Sequence, residues 1–164
     1  MGKLELIIET DCVSMYSPKW DGETYTEFEK FLIANKSHTH PQLKKSFDAI
    51  ISVIKVIGEK GAMERYFRLE GGRVKAIPLF IELPRIDRSI GKMRLYCLRF
   101  SDNMLVIGNG AVTKSQKYQE DPNLTAIINS LRNIERKISQ EVKSAGIDFE
   151  DNEALKKIVE NITI

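Results

Sequence analysis

Apolar residues recur along the chain in two rhythms. Lys3 to Glu9 alternates well enough to predict an opening strand. Residues 10–23 (TDCVSMYSPKWDGE) lose the rhythm and read as an irregular connection, with Pro18 and Asp21-Gly22 as turn signals and Trp20 as either an anchor packed on the sheet or an exposed contact. A first helix is expected from about Thr24 to Ala34, with Phe28, Phe31 and Leu32 as its stripe. NKSHTHP interrupts it, and Pro41 stands near the first position of a second helix, where a missing N–H costs nothing. Leu43, Phe47, Ile50, Ile54 and Ile57 give that helix a regular apolar face, and Gly58 and Gly61 mark its end.

After Gly61 the period becomes two. MERYFRLEGG and VKAIPLFIEL are strand candidates, the second demoted to an edge or bulge by Pro78. IDRSIG connects them to the clearest pair, KMRLYCLRF and MLVIGNG, joined through Ser101-Asp102-Asn103. Strands in succession with short turns predict an antiparallel meander. Beyond Asp121-Pro122, Leu124, Ile127, Ile128, Leu131, Ile134 and Ile138 share a helical face about as wide as core packing needs. Leu155, Ile158, Val159 and Ile162 mark a short terminal helix. The fold class expected is α+β: an antiparallel twisted sheet of four to five strands, two N-terminal helices on one face, and additional C-terminal helices.

Composition narrows the function classes. Residues 1–164 suit a single domain, with 42% apolar and 29% charged positions. No apolar run approaches the roughly 18 residues that span a bilayer. The opening MGKLELIIETD lacks the apolar block and cleavage site of a signal peptide, and Leu6 excludes a myristoylation site. Cys12 and Cys97 stand far apart without metal-type spacing, which predicts small buried fillers in a reducing, cytoplasmic setting. The net charge of +2 is unevenly spread. From Pro41 to Tyr118, 15 Lys and Arg face 7 Asp and Glu, a surplus of +8, so the flanks together carry −6. A basic middle with acidic ends suits a protein that holds an anion centrally, or one that meets an acidic partner protein.

Candidate chemistry sits on the strands. His38 and His40 have few carboxylates and no cysteine beside them, so they read as a solvated connection and no metal site is expected. GNG at 108–110 is too short for a phosphate loop. Side chains alternate along a strand. Arg94 and Tyr96 therefore share one face with Leu98, while Met93, Leu95, Cys97 and Arg99 share the other. Tyr66 and Arg68 pair likewise, with Arg65 near the strand end. The expectation is an uncovered sheet face carrying Arg68, Arg94, Tyr66 and Tyr96, overhung by Lys114 and Lys117. Guanidinium groups clamp phosphates and tyrosines stack unpaired bases, so the pattern points to RNA. Arg and Tyr also populate half-exposed sheet faces that bind nothing. A face sealed by the chain's own C-terminal helices would sink the nuclease reading built on that platform.

The segments TEFEKFL, AIISVIKVIGEKG, YFRLEG, MRLYCLRF and MLVIGNGAVTKSQKYQEDP, in that order, resemble the RelE/ParE toxin superfamily, especially its HigB-like and phage Gp49-like branch. The resemblance places a core at about 24–120 and a C-terminal helical extension at about 122–164. It implies the toxin of a type II toxin–antitoxin pair, with a helix-turn-helix antitoxin as partner and mRNA on the ribosome as target. The reaction implied is metal-independent, with the RNA's 2′-hydroxyl attacking the adjacent phosphorus and no cofactor. Carried over by position, Arg68, Arg94, Lys114, Lys117 and Tyr118 are the catalytic candidates. The alternating strands and the adjoining loop add Arg65, Tyr66, Tyr96, Arg99 and Gln116 as RNA contacts. The segment Val74 to Gly91 is longer than the family's hairpin, and the C-terminal helices extend past its usual end. Those departures keep two alternatives in view: a non-catalytic binding module of a phage or mobile element, and a ParE-like gyrase inhibitor.

Overall fold

The computed structural model describes residues 1–79, 87–114 and 120–164. Strand β1 (Gly2–Glu9) is followed by β2 (Ser14–Trp20), then by helices α1 (Glu27–Asn35) and α2 (Pro41–Lys60). A 3-10 turn at Glu64–Tyr66 leads into a two-residue strand, β3 (Arg68–Leu69), and then β4 (Val74–Ile77). The long hairpin β5 (Lys92–Ser101) and β6 (Met104–Thr113) precedes α3 (Pro122–Ala145) and α4 (Asn152–Asn161).

The strands form one six-stranded sheet in the order β1-β2-β6-β5-β4-β3. It is mixed. β2 runs parallel to β6 over Ser14↔Met104, Met15↔Leu105 and Tyr16↔Val106, and every other neighbouring pair is antiparallel. This overturns the expected antiparallel sheet of four to five strands. A parallel pair needs a long crossover, and here α1, α2 and β3 to β5 supply it. The expectation failed at β2, whose first five residues are all buried. A strand covered on both faces shows no alternation to read. Pro18 also argued against it, but Pro18 lies beyond Tyr16, the last residue paired to β6.

Each sheet face has its own helical layer. On one, Met15, Met93, Leu95, Cys97, Leu105 and Ile107 pack against Phe28 and Phe31 of α1 and Ile50, Ile54 and Ile57 of α2. On the other, Tyr16, Val74, Ala76, Tyr96, Leu98, Phe100 and Val106 pack against Leu124, Ile128, Leu131, Ile134, Ile138 and Val142 of α3 and Leu155 and Val159 of α4. The second set includes the face expected to lie open, and it is sealed by the chain's own C-terminal helices.

Local signals set the helix ends. Thr26 accepts the backbone N–H of Glu29 at 3.2 Å while the Glu29 carboxylate accepts that of Thr26 at 3.1 Å, a reciprocal capping box. His40 Nδ1 accepts the Gln42 N–H in front of Pro41. Asp121 accepts from Asn123 and Leu124 in front of Pro122. Gly108 admits α3: a Cβ there would stand 3.0 Å from a Leu131 methyl. Gly110 is needed for a different reason, because a Cβ would collide with the Arg94 carbonyl oxygen across the hairpin.

Candidate functional site

The two principal arginines of the sequence reading lie near one another. Ala76 is the register partner of both Arg68 and Tyr96, so all three share a row on the α3 side. Arg94 precedes Tyr96 by two residues and faces the same way. Its guanidinium donates to the Pro78 carbonyl at 3.3 Å and is buried at 7% exposure. Burial and the neighbouring Arg68 both pull its pKa down, while Tyr96 and Glu70 oppose the shift. Arg68 is about a third exposed and holds Glu70 at 3.4 Å.

Two residues that sequence reasoning did not single out complete the group. Lys92 opens β5 on the same face as Arg94. Its ammonium is pulled below the ordinary lysine value, first by burial and then by Arg94, Arg68 and Arg88. Arg88 is exposed on the turn before β5. That turn is fixed from α2, because the buried Gln42 side chain donates to the Asp87 carbonyl at 2.9 Å and accepts the Asp87 N–H at 2.8 Å. Lys114 is exposed just past Thr113, the register partner of Lys92. A half-buried carboxylate sits among these cations. Glu70 is driven up by burial and drawn back by Arg68, Arg94 and Arg132. The result is a graded cationic end of the sheet: Arg94 buried, Arg68 and Lys92 half-buried, Arg88 and Lys114 exposed. The signal for Lys92 was present, since it lies two residues before Arg94 and so on its face. Arg88 sits in a connection whose direction no periodicity could give.

The remaining candidates go elsewhere. Tyr96 is sealed under α3 with 1% exposure, and burial pushes its phenol up to about 12. It offers no stacking surface, which corrects the expected open face. Tyr66 lies in the 3-10 turn rather than a strand and packs toward the α1/α2 core, with the Arg65 guanidinium 5.1 Å from its ring centre. Arg99 points to the α2 side at the far end of β5. It donates to the Ala62 carbonyl at 2.6 Å and pairs with Glu64 and Asp102, stapling the hairpin to the end of α2. Gln116, Lys117 and Tyr118 lie outside the described residues.

The arrangement can hold a polyanion at its exposed rim, with Arg94 contributing field from beneath. Histidine chemistry is not brought here: His38 bonds Asn35 at 3.1 Å and His40 caps α2. Among the described residues no cluster of three His, Cys, Asp or Glu is arranged to hold a metal, and no helix is long and apolar enough to cross a membrane. Comparison with known proteins gives no match to a family model, a curated protein or a solved structure.

Proposed function

We propose that this protein binds RNA through its phosphate backbone at the cationic end of the sheet. The observation that carries the reading is that Arg68 and Arg94 act together on Lys92, with Arg88 beside them, and that the same two arginines, with Arg132, act on Glu70. Phosphate contacts of this kind give affinity without base readout, which suits a site that has lost its tyrosine platform. Working in the cytoplasm as the toxin half of a toxin–antitoxin pair, it would meet mRNA there and be restrained by a helix-turn-helix antitoxin. That biological setting rests on the sequence resemblance. The free thiols of Cys12 and Cys97 are compatible with it.

Fluorescence anisotropy with a labelled single-stranded RNA tests the binding. The double change Arg68→Ala, Arg88→Ala should weaken it at least tenfold. Binding that is undetectable in the wild type, or unaltered in the variant, would overturn the proposal.

A second reading, cleavage, is favoured by Lys92. A lysine kept partly desolvated among arginines is more readily neutral, and a neutral amine accepts a proton. In that reading Lys92 takes the proton of a 2′-hydroxyl as its oxygen bonds to phosphorus. The phosphorus–O5′ bond breaks, leaving a 2′,3′-cyclic phosphate, and the departing O5′ takes a proton from Lys114. Arg68 neutralises the charge that builds on the phosphoryl oxygens. Expression in cells separates the readings. Growth arrest relieved by Lys92→Met, with cyclic phosphate ends on the fragments, supports cleavage. Stable RNA binding with intact RNA in a translating extract leaves a non-catalytic binder.

A further inference from the structure

The crevice on the opposite flank of α3 is a second, unrelated feature. β2 and β6 are parallel and paired only as far as Tyr16 and Val106. Beyond that point β2 follows β1, β6 follows β5, and the sheet splits. The chain leaving β2 enters α1 on one face, whereas the chain leaving β6 enters α3 on the other. Such a divergence at the carboxyl ends of adjacent parallel strands opens a crevice where α/β proteins bind ligands. Here it is a cavity of about 290 Å³ lined by Pro18, Trp20, Glu27, Asn109, Asn123 and Ile127, among others.

Its walls have a distinct chemistry. Pro18 and Trp20 supply flat apolar rings, and the stretch Gly108–Asn109–Gly110 brings backbone close from β6. Among the described residues no lysine or arginine lines it, and the one ionisable lining group is Glu27. Glu27 is held in place, with one oxygen on Lys30 at 3.0 Å and the other on Asn109 Nδ2 at 3.0 Å. A carboxylate has about four lone-pair sites, so this one retains capacity for further donors. Asn109 is itself fixed, because its carbonyl accepts the Gly110 N–H at 2.7 Å. The amide of Asn123 stands on the exposed first turn of α3. At about 30 Å³ per water, the volume equals roughly ten waters, which suits a ligand on the order of ten to twenty non-hydrogen atoms.

We infer that this crevice binds a planar, uncharged nitrogen heterocycle of the nucleoside kind. Guanosine is the best match, because its base presents adjacent N–H donors to a carboxylate. Trp20 and the glycine-bearing strand both line the crevice, which offers a flat ring a stacking face and close backbone. A phosphate-bearing version is disfavoured because, among the described residues, no lysine or arginine lines the crevice and the nearby Lys30 is already paired with Glu27 and Glu23.

Trp20 is the chain's single tryptophan, so its fluorescence reports on this crevice alone. Titrating the full chain with guanosine should give saturable quenching below millimolar concentration, and guanosine 5′-monophosphate should bind at least tenfold more weakly. Glu27→Gln should weaken guanosine at least tenfold. Ala126→Phe, at an exposed position on the rim, should abolish the quenching with the melting temperature unchanged. The change Arg68→Ala, Arg88→Ala should leave it unaltered, which keeps this site distinct from the RNA surface. Absence of saturable quenching, undiminished quenching in Ala126→Phe, or a monophosphate that binds as well as the nucleoside would overturn the inference.

Discussion

At the scale of single residues, burial and charge proximity decide what each group can do. Glu70 is a carboxylate beside Arg68, Arg94 and Arg132, and its charged form is disfavoured by burial. Glu70→Gln removes one negative charge facing the RNA surface. It should raise RNA affinity on the order of twofold to fivefold, as expected for one screened unit charge, the reverse of Arg68→Ala. Weaker binding in Glu70→Gln would mean the carboxylate serves to position Arg68 rather than to oppose phosphate. Lys92 gives a pH-dependent counterpart. Its folded pKa lies below the unfolded value, so carrying the proton costs folded stability at neutral pH. That cost disappears as pH climbs through the depressed value toward the ordinary lysine range. Lys92→Met should therefore raise the melting temperature at pH 7, with a gain that shrinks steadily toward pH 10, while RNA binding falls. A constant gain across that range would show that shape rather than charge sets the cost. The thiols divide on the same grounds. Burial drives the pKa of Cys97 up, and its side chain has no exposure, whereas Cys12 is partly exposed. A thiol reagent should titrate one cysteine in the native protein and two after unfolding.

At the scale of elements, α3 decides between two views of the chain. Were it a detachable cover, its removal would bare a functional sheet face. The packing argues for a permanent layer, since six of its residues are buried against Tyr96, Leu98, Val106 and their neighbours. Ile128→Ala should cost about 2–5 kcal/mol in a urea or guanidinium melt. A chain ending at Asp121 should aggregate rather than fold, and a soluble, cooperatively melting truncation would refute the layer assignment. The stripes of α2 and α3 and the β5–β6 hairpin were legible because one face of each helix is apolar and the hairpin turn is short. What the pattern also held, in retrospect, was the second covered face. KMRLYCLRF is apolar on both sides of the strand, with Tyr96, Leu98 and Phe100 opposing Met93, Leu95 and Cys97, and a strand exposed on one side does not look like that. Two separate amphipathic helical segments likewise call for two faces to cover. Strand alternation put Arg68 and Arg94 on one side of the sheet and Arg99 on the other, but it did not show that the first side is covered. The parallel β2–β6 contact was not legible, because nothing local records which strand returns to lie beside which.

At the scale of the whole molecule, folding sorts the uneven charge of the chain. The basic middle, +8 between Pro41 and Tyr118, is gathered in part at one end of the sheet, on the β3 flank of α3. Among the described residues, the crevice on the other flank has Glu27 as its only ionisable lining group. One helix thus separates a surface suited to polyanions from one that disfavours them. This makes salt dependence the most informative single measurement. Binding to single-stranded nucleic acid releases counterions, with a slope of about −0.7 in log affinity against log salt for each phosphate neutralised. Among the described residues, Arg68, Arg88, Lys92, Lys114 and Arg132 are the cations at least partly exposed here, which sets an expected slope of about −3.5. Changing Arg88 or Lys114 to Ala should reduce its magnitude by about 0.7 each. Arg94→Met, which removes a buried charge that makes no phosphate contact of its own, should weaken binding while leaving the slope nearly unchanged. A slope near zero would place RNA contact somewhere other than this cationic end. A slope that falls by a full contact in Arg94→Met would mean that the guanidinium is uncovered when RNA binds, and that the sheet end opens to admit it.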